Sequence, residues 1–200
     1  MAVETDERGL RLFTQDEVVQ MAELGVLEDI EQYELLNGFL VRKVSGGEQH
    51  ELAKERVLRW LAPGLIADRY RVRVECALRT ANRLSLPEPD VMVLPFDRPA
   101  GLPAAALLVI EVADTSLRYD RTVKPPLYAG TQVPEYWSID VNGRSIRVHT
   151  DPEGDAYRTQ ATVDGGTLTP IAADTGPLDV DALLADLADA ARDVADEPRP

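Results

Sequence analysis

Two of the most continuous apolar runs lie near the middle of the chain. Val91-Met92-Val93-Leu94 follows Pro89-Asp90, and Ala106-Leu-Leu-Val-Ile-Glu-Val-Ala113 comes next. A strand covered on both faces has this unbroken apolar character, so both runs predict central, buried β-strands. Each is associated with one acid, Asp90 or Glu111. A carboxylate inside an apolar strand costs several kcal/mol, roughly, unless a metal, a cation or a hydrogen-bond partner compensates it. Two such strands predict two carboxylates converging at one sheet edge.

Elsewhere the pattern predicts smaller pieces. Residues 1–13 are polar and read as frayed. Thr14-Gln-Asp-Glu17 is a capping box that opens a helix through Leu24, with Gly25 as its stop. Tyr33 to Val41 reads as a β-hairpin, because Asn37-Gly38 supplies two residues that tolerate positive φ. Gly46-Gly47 breaks the chain before a helix from Glu48 to Ala62, ended by Pro63-Gly64, with His50, Ala53, Val57 and Leu61 on one face. Strict alternation from Tyr70 to Leu78 predicts a half-buried strand whose outward residues are Arg71, Arg73 and Glu75.

After Glu111, Thr115 to Arg121 reads as a turn into a short helix carrying Lys124 and Tyr128 one turn apart. Pro125-Pro126 fits best if a first helical turn begins near Lys124. Glu135 to Asp140 is a further strand, and Asn142-Gly143 turns it into Ser145 to His149. Asp151-Pro-Glu-Gly154 and Asp164-Gly-Gly166 punctuate a closing β-meander. Val180, Leu183, Leu184, Leu187, Ala191 and Val194 form the apolar face of an acidic C-terminal helix. The order predicts a mixed α/β domain over residues 14–195, with flexible ends at 1–13 and 196–200.

Composition narrows the class. The chain is 44% hydrophobic and 28% charged, which are globular values. No apolar stretch reaches the ~18 residues of a membrane span, and the N-terminus lacks the form of a signal peptide. With the single Cys76 excluding an intrachain disulfide and any cysteine-rich metal site, the expected compartment is the cytoplasm. Cys76 itself reads as a small buried residue. The net charge of −14 argues against a general nucleic-acid binder. Its distribution restores the option: residues 42–83 hold 10 bases and 5 acids between strongly acidic flanks. Arg71 and Arg73 in that segment are candidates for phosphate-backbone contacts, against the alternative of a solvated face.

The ordered set Tyr33-Glu34-Leu35-Leu36-Asn37-Gly38, His50, Pro89-Asp90, Val109-Ile110-Glu111-Val112, Asp120-Arg121-Thr-Val-Lys124, Leu127-Tyr128-Ala129 and Val133-Pro134-Glu135-Tyr136-Trp137 resembles the Uma-two family of predicted endonucleases. That family lies within the PD-(D/E)xK nuclease superfamily. The resemblance runs from about Thr14 to about Leu184. It implies a restriction-endonuclease-like core with a mixed sheet flanked by helices. It also implies a Mg²⁺- or Mn²⁺-dependent endonuclease acting on DNA.

In that resemblance Asp90 and Glu111 supply oxygen ligands to the metal, and Lys124 supplies charge to the attacking water and the transition state. Glu34 and His50 are supporting candidates. The superfamily's usual lysine follows the second acid by two residues, where this chain has Ala113; Lys124 takes its place from the next helix. Asp114 stands where family members often carry Ser.

Each residue has a structural alternative. Asp90 can be a turn residue and Glu111 the partner of an arginine. Lys124 can be a solvated lysine, Glu34 the partner of Arg42, and His50 a core histidine. His149 has no evident partner, and Tyr136 and Trp137 read as core. Ser85, Ser116 and Ser138 have no adjacent histidine, and neither a phosphate loop nor zinc spacing is present. Two rival readings follow from the acidity and from Ala113: a non-catalytic module for binding or assembly, and an RNA substrate. The acidic C-terminal helix is a candidate face for packing a second copy as a homodimer.

Overall fold

In chain order the first elements are α1 (Gln15–Leu24), β1 (Tyr33–Leu36), β2 (Phe39–Arg42), α2 (Glu48–Ile66), β3 (Tyr70–Val74), β4 (Val91–Pro95) and β5 (Leu108–Ala113). They are followed by α3 (Leu117–Thr122), α4 (Lys124–Gly130), β6 (Glu135–Asp140), β7 (Ser145–Glu153), β8 (Ala156–Val163), β9 (Thr167–Leu168), β10 (Leu178–Asp179) and α5 (Val180–Leu184). The computed structural model describes residues 4–26, 29–43, 46–97, 99–114 and 116–187. The central sheet has the order β3-β4-β5-β6-β7-β8. Only the β5–β6 pair in it is parallel, joined through α3 and α4. This is the mixed, helix-flanked sheet expected, with the N-terminal hairpin and the C-terminal meander in place.

The pleat of β5 explains where its carboxylate goes. Leu108, Ile110 and Val112 join one buried cluster with Ala53, Val57 and Leu61 of α2. Val109 joins a second cluster with Tyr128 and Ala129 of α4 and Tyr136 of β6. Alternate residues share a face, so Glu111 is directed with Val109 toward α3 and α4. Ala113 lies on that same face and is fully buried. Leucine- and tyrosine-sized side chains buried this completely contribute roughly 1.5–3 kcal/mol each, the background that tolerates charged intruders such as Glu111.

Several local expectations hold. Thr14 and Glu17 form the capping box, and Gly25 closes α1 in the left-handed conformation. Asn37 and Gly38 have φ of 50° and 85°, as a two-residue turn of this hand requires. Pro125 and Pro126 occupy the first turn of α4, where no amide donor is needed. Val123 between α3 and α4 stays right-handed helical, so the helical phase carries across the junction.

Other boundaries differ. Helix α2 runs through Pro63-Gly64 to Ile66, and Ala67 N still donates to Pro63 O at 3.1 Å. Gly64 is not a stop but a seat: a Cβ there would lie 2.4 Å from the Tyr70 ring. Strand β3 ends at Val74, because Glu75 takes φ 46° and turns its amide to Asp90 O. Strand β7 continues through Asp151 to Glu153, since Thr150 and Pro152 keep register with Thr159 and Tyr157. Cys76 is partly buried against the second cluster. Of the C-terminal apolar face, Val180, Leu183, Leu184 and Leu187 are buried, and Ala191 and Val194 lie outside the described residues. Among the described residues no helix is long and apolar enough to cross a membrane.

Candidate active site

The β1–β2 hairpin docks on the segment that leads into β4. Leu86 N donates to Leu35 O, Gly38 N to Leu84 O and Asn37 N to Ser85 Oγ. This brings Glu34 over Glu88, whose amide donates to Glu34 Oε2 at 3.4 Å. Two residues later Asp90 enters the sheet. Its Oδ2 accepts from Val112 N at 2.7 Å, so the first carboxylate is tied to the strand that bears the second. Its Oδ1 faces His50 Nε2 at 3.1 Å. Gly46 makes room for that imidazole, because a Cβ at 46 would sit 2.3 Å from the His50 ring.

Glu111 is 2% exposed and Lys124 6% exposed, so both charges are out of bulk water. Lys124 Nζ lies 2.9 Å from Glu111 Oε1, 3.3 Å from Asp120 Oδ1 and 3.9 Å from Glu34 Oε2. Tyr128 OH donates to Glu111 Oε1 at 2.5 Å. Asp120 is held by the Ser116 hydroxyl, and its carbonyl accepts from Tyr136 OH at 2.6 Å. A cavity of about 100 Å³ has Glu34, His50, Asp90, Glu111, Val112 and Lys124 in its lining, together with Lys43, Glu88, Asp114 and Ser116. The five main candidates therefore meet in one place. Arg71 and Arg73 do not line that cavity. They stand exposed on β3, where Arg71 stacks on the Phe96 ring and donates to Phe96 O.

The electrostatics follow from one buried ammonium among several buried carboxylates. Burial pushes the Glu111 carboxyl well above its ordinary range; Lys124 opposes this, and Asp120, Asp90 and Glu34 reinforce it. Burial likewise raises Glu34 and Asp120 against the pull of Lys124. For Lys124, burial acts downward, but Glu111, Glu34 and Asp120 outweigh it and keep the ammonium charged. Asp90 is different: burial acts upward, yet the His50 contact and the Val112 amide hold it below the usual carboxylate range. His50 is raised, since Asp90 and Glu51 outweigh its burial.

This excess of negative charge and hard oxygen donors fits a divalent cation such as Mg²⁺ or Mn²⁺. Among the described residues no three His, Cys, Asp or Glu side chains are grouped to hold an ion between them.

Sequence reasoning missed the parts played by Tyr128, Asp120, Ser116 and Lys43. The spacing Asp120, Lys124, Tyr128 is a four-residue repeat, and that signal was available once the helical phase was known to cross Val123. The partner of Glu111 is a lysine and not an arginine, and Arg42 bonds Gln32 instead of Glu34. Asp114 Oδ1 accepts from Asn142 Nδ2 at 3.0 Å.

A mixed sheet with one carboxylate just ahead of β4 and another on the adjacent β5, and a lysine beside them, defines a protein of the restriction-endonuclease-like class. The sequence matches the Uma2 family, described as "Putative restriction endonuclease", over residues 16–177, and the chain belongs to that family. Among solved structures it is similar to one described as a putative nuclease belonging to DUF820 from Anabaena variabilis ATCC 29413. The identity is 17%, the TM-score 0.70, and the match covers 88% of this chain and 99% of that one. A partial likeness to the type IIG restriction endonuclease BpuSI has 14% identity and a TM-score of 0.40, covering 74% of this chain and 16% of that one. No curated protein matches the sequence.

Proposed function

We propose that the protein is a metal-dependent endonuclease that hydrolyses phosphodiester bonds of DNA, with Asp90 and Glu111 holding Mg²⁺ or Mn²⁺. The observation that carries this is the convergence of Asp90 from the entry to β4, Glu111 from β5 and Lys124 from α4 on one small cavity. A bound divalent ion supplies a polarised phosphoryl oxygen and a water of lowered pKa. Lys124, kept charged by three carboxylates, places a positive group where the transferring phosphate gains charge. His50 and the Val112 amide fix the two oxygens of Asp90. Glu34 closes the cavity from the hairpin side and is a supporting residue. Arg73 precedes Glu75, whose amide bonds Asp90 O, so Arg71 and Arg73 offer backbone contacts along the sheet edge that leads to the site.

The test is incubation of the purified protein with supercoiled plasmid, linear single strands and RNA, each with Mg²⁺, Mn²⁺ or chelator. Cleavage of DNA with metal, lost in chelator and in Asp90→Ala and Glu111→Ala, is the expected result. Cleavage unchanged in both variants would sink the assignment, and cleavage confined to RNA would replace the substrate.

A second reading, a non-catalytic binding module, is favoured by the acidic mouth of the site. A neighbouring cavity of about 390 Å³ shares Lys43, His50, Glu88 and Asp90 with the first and adds Glu31, Glu51 and Glu75 against the single further base Arg42, so acids outnumber bases there. Such a mouth repels a phosphate backbone. Absence of metal-dependent cleavage, with binding to a protein partner instead, is its signature.

A further inference from the structure

Tyr128 is an uncharged residue beside a cluster built mainly from acids and a lysine. It touches Glu111, a buried carboxylate at the centre of that cluster. Its hydroxyl donates to Glu111 Oε1 at 2.5 Å, the same oxygen that Lys124 contacts at 2.9 Å. The ring is fully buried and packs on Tyr136 with centroids 5.0 Å apart, so its donor has a fixed direction.

A carboxylate has two oxygens, and two donors converging on one of them set its orientation. Lys124 cannot do this alone. Its ammonium is a compact charge on a flexible stem, and Asp120 and Glu34 compete for it at 3.3 and 3.9 Å. The phenol is the directional partner. It arrives from one helical turn beyond Lys124, in the Asp120-Lys124-Tyr128 row that faces Glu111.

We propose that Tyr128 is a positioning residue for Glu111. It shares Oε1 with Lys124, fixes the carboxylate plane and leaves Oε2 to serve the divalent ion. This rests on the metal-dependent reading of the site. It also gives a physical account of a lysine on a helix in place of one on the strand. The helix brings a second donor with it, and the fully buried Ala113 leaves the face of β5 beside Glu111 uncharged.

The experiment measures Mn²⁺ binding to the full chain by titration calorimetry, alongside plasmid cleavage as a function of Mn²⁺ concentration. Tyr128→Phe removes one hydroxyl and keeps the ring. It is expected to raise the Mn²⁺ midpoint about tenfold or more in both readouts, with cleavage recovering toward the unmodified rate at saturating Mn²⁺.

Tyr157→Phe is the control, because its buried hydroxyl donates to Val133 O. It is expected to lower the melting temperature and leave the Mn²⁺ midpoint in place. If Tyr128→Phe does not fold, Tyr128→Leu removes the same donor and the same midpoint decides. A folded Tyr128 variant with an unchanged midpoint, beside an unmodified protein that binds Mn²⁺ and cuts, overturns the inference alone. An unmodified protein that neither binds Mn²⁺ nor cuts overturns the metal-dependent reading, and the inference with it.

Discussion

Lys124 Nζ and Glu111 Oε1 are 2.9 Å apart although they come from a helix and a strand thirteen positions apart in the chain. The pair is buried, so each member makes the other tolerable. Lys124→Met keeps the length of the side chain and leaves the Glu111 carboxylate without its cation. Breaking a buried pair in this way costs about 3–5 kcal/mol.

The cost should depend on pH in a definite direction. Burial already raises the folded-state pKa of Glu111 above its ordinary value of 4.5, and loss of Lys124 raises it further. A raised folded pKa gives stability that is complete below the unfolded pKa and lost as pH rises through the folded one. Urea denaturation should therefore show a small difference between Lys124→Met and the unmodified protein near pH 4.5 and a larger one near pH 8. A pH-independent difference would mean that Glu111 does not carry the cost.

Divalent metal should stabilise the folded chain. One ion bound at a hundred times its dissociation constant adds about 2.7 kcal/mol. For a chain of this size that corresponds to a melting shift of roughly 5–10 °C. Proton and metal compete for Glu111, so the shift with Mn²⁺ should be larger at pH 8 than at pH 5.5. Asp90→Ala and Glu111→Ala should abolish it. A shift that survives in both variants would locate metal binding elsewhere.

The sheet was legible because burial on both faces leaves a signature that survives without context. The apolar runs of β4 and β5 could only be central, and Asp90 and Glu111 stood out against them. The hairpin and α1 were legible because Asn37-Gly38 and Thr14/Glu17 carry their geometry locally. What was hidden depends on contacts between distant segments. Gly64 resembles a helix stop until the Tyr70 ring is seen against it. The alternation of Tyr70 to Leu78 does not reveal that Glu75 turns to bond Asp90 O. Tyr128 looks like core from its neighbours, and only the phase carried through Val123 aims its hydroxyl at Glu111. The site's acids and lysine were visible as costly residues; the tyrosine that orients one of them was not costly and gave no such signal.

Gly64→Ala tests the role of that glycine as a seat. Its Cβ would meet the ring of Tyr70, which is itself fully enclosed and donates its hydroxyl to Leu61 O at 2.6 Å. Overpacking of this kind costs roughly 1–3 kcal/mol. The expected result is a lower urea midpoint with an unchanged slope. A helix-favouring gain in stability, as alanine gives in an open helix, would contradict the close packing.

The chain has two histidines, and the structure separates them. For His50, burial is outweighed by the hydrogen bond and charge of Asp90 and by Glu51, so its pKa lies above the ordinary 6.5. His149 is buried between the Tyr136 and Tyr157 rings, with neither nitrogen hydrogen-bonded among the described residues. Burial, with the charge of Arg147 in second place, pushes it down to about 4. The stability from His50 is present below 6.5 and is lost as pH rises through its raised folded value. That from His149 is present above 6.5 and is lost as pH falls toward about 4.

Titration of the metal-free protein by NMR should resolve one imidazole above 6.5 and one far below it, and Asp90→Asn should lower only the upper midpoint. His149→Phe preserves the ring stack and removes the acid-labile group. It should stabilise the protein at pH 5 by about 1–2 kcal/mol relative to its effect at pH 8. Two histidines titrating together near 6.5 would place both rings in water and contradict the packing of each.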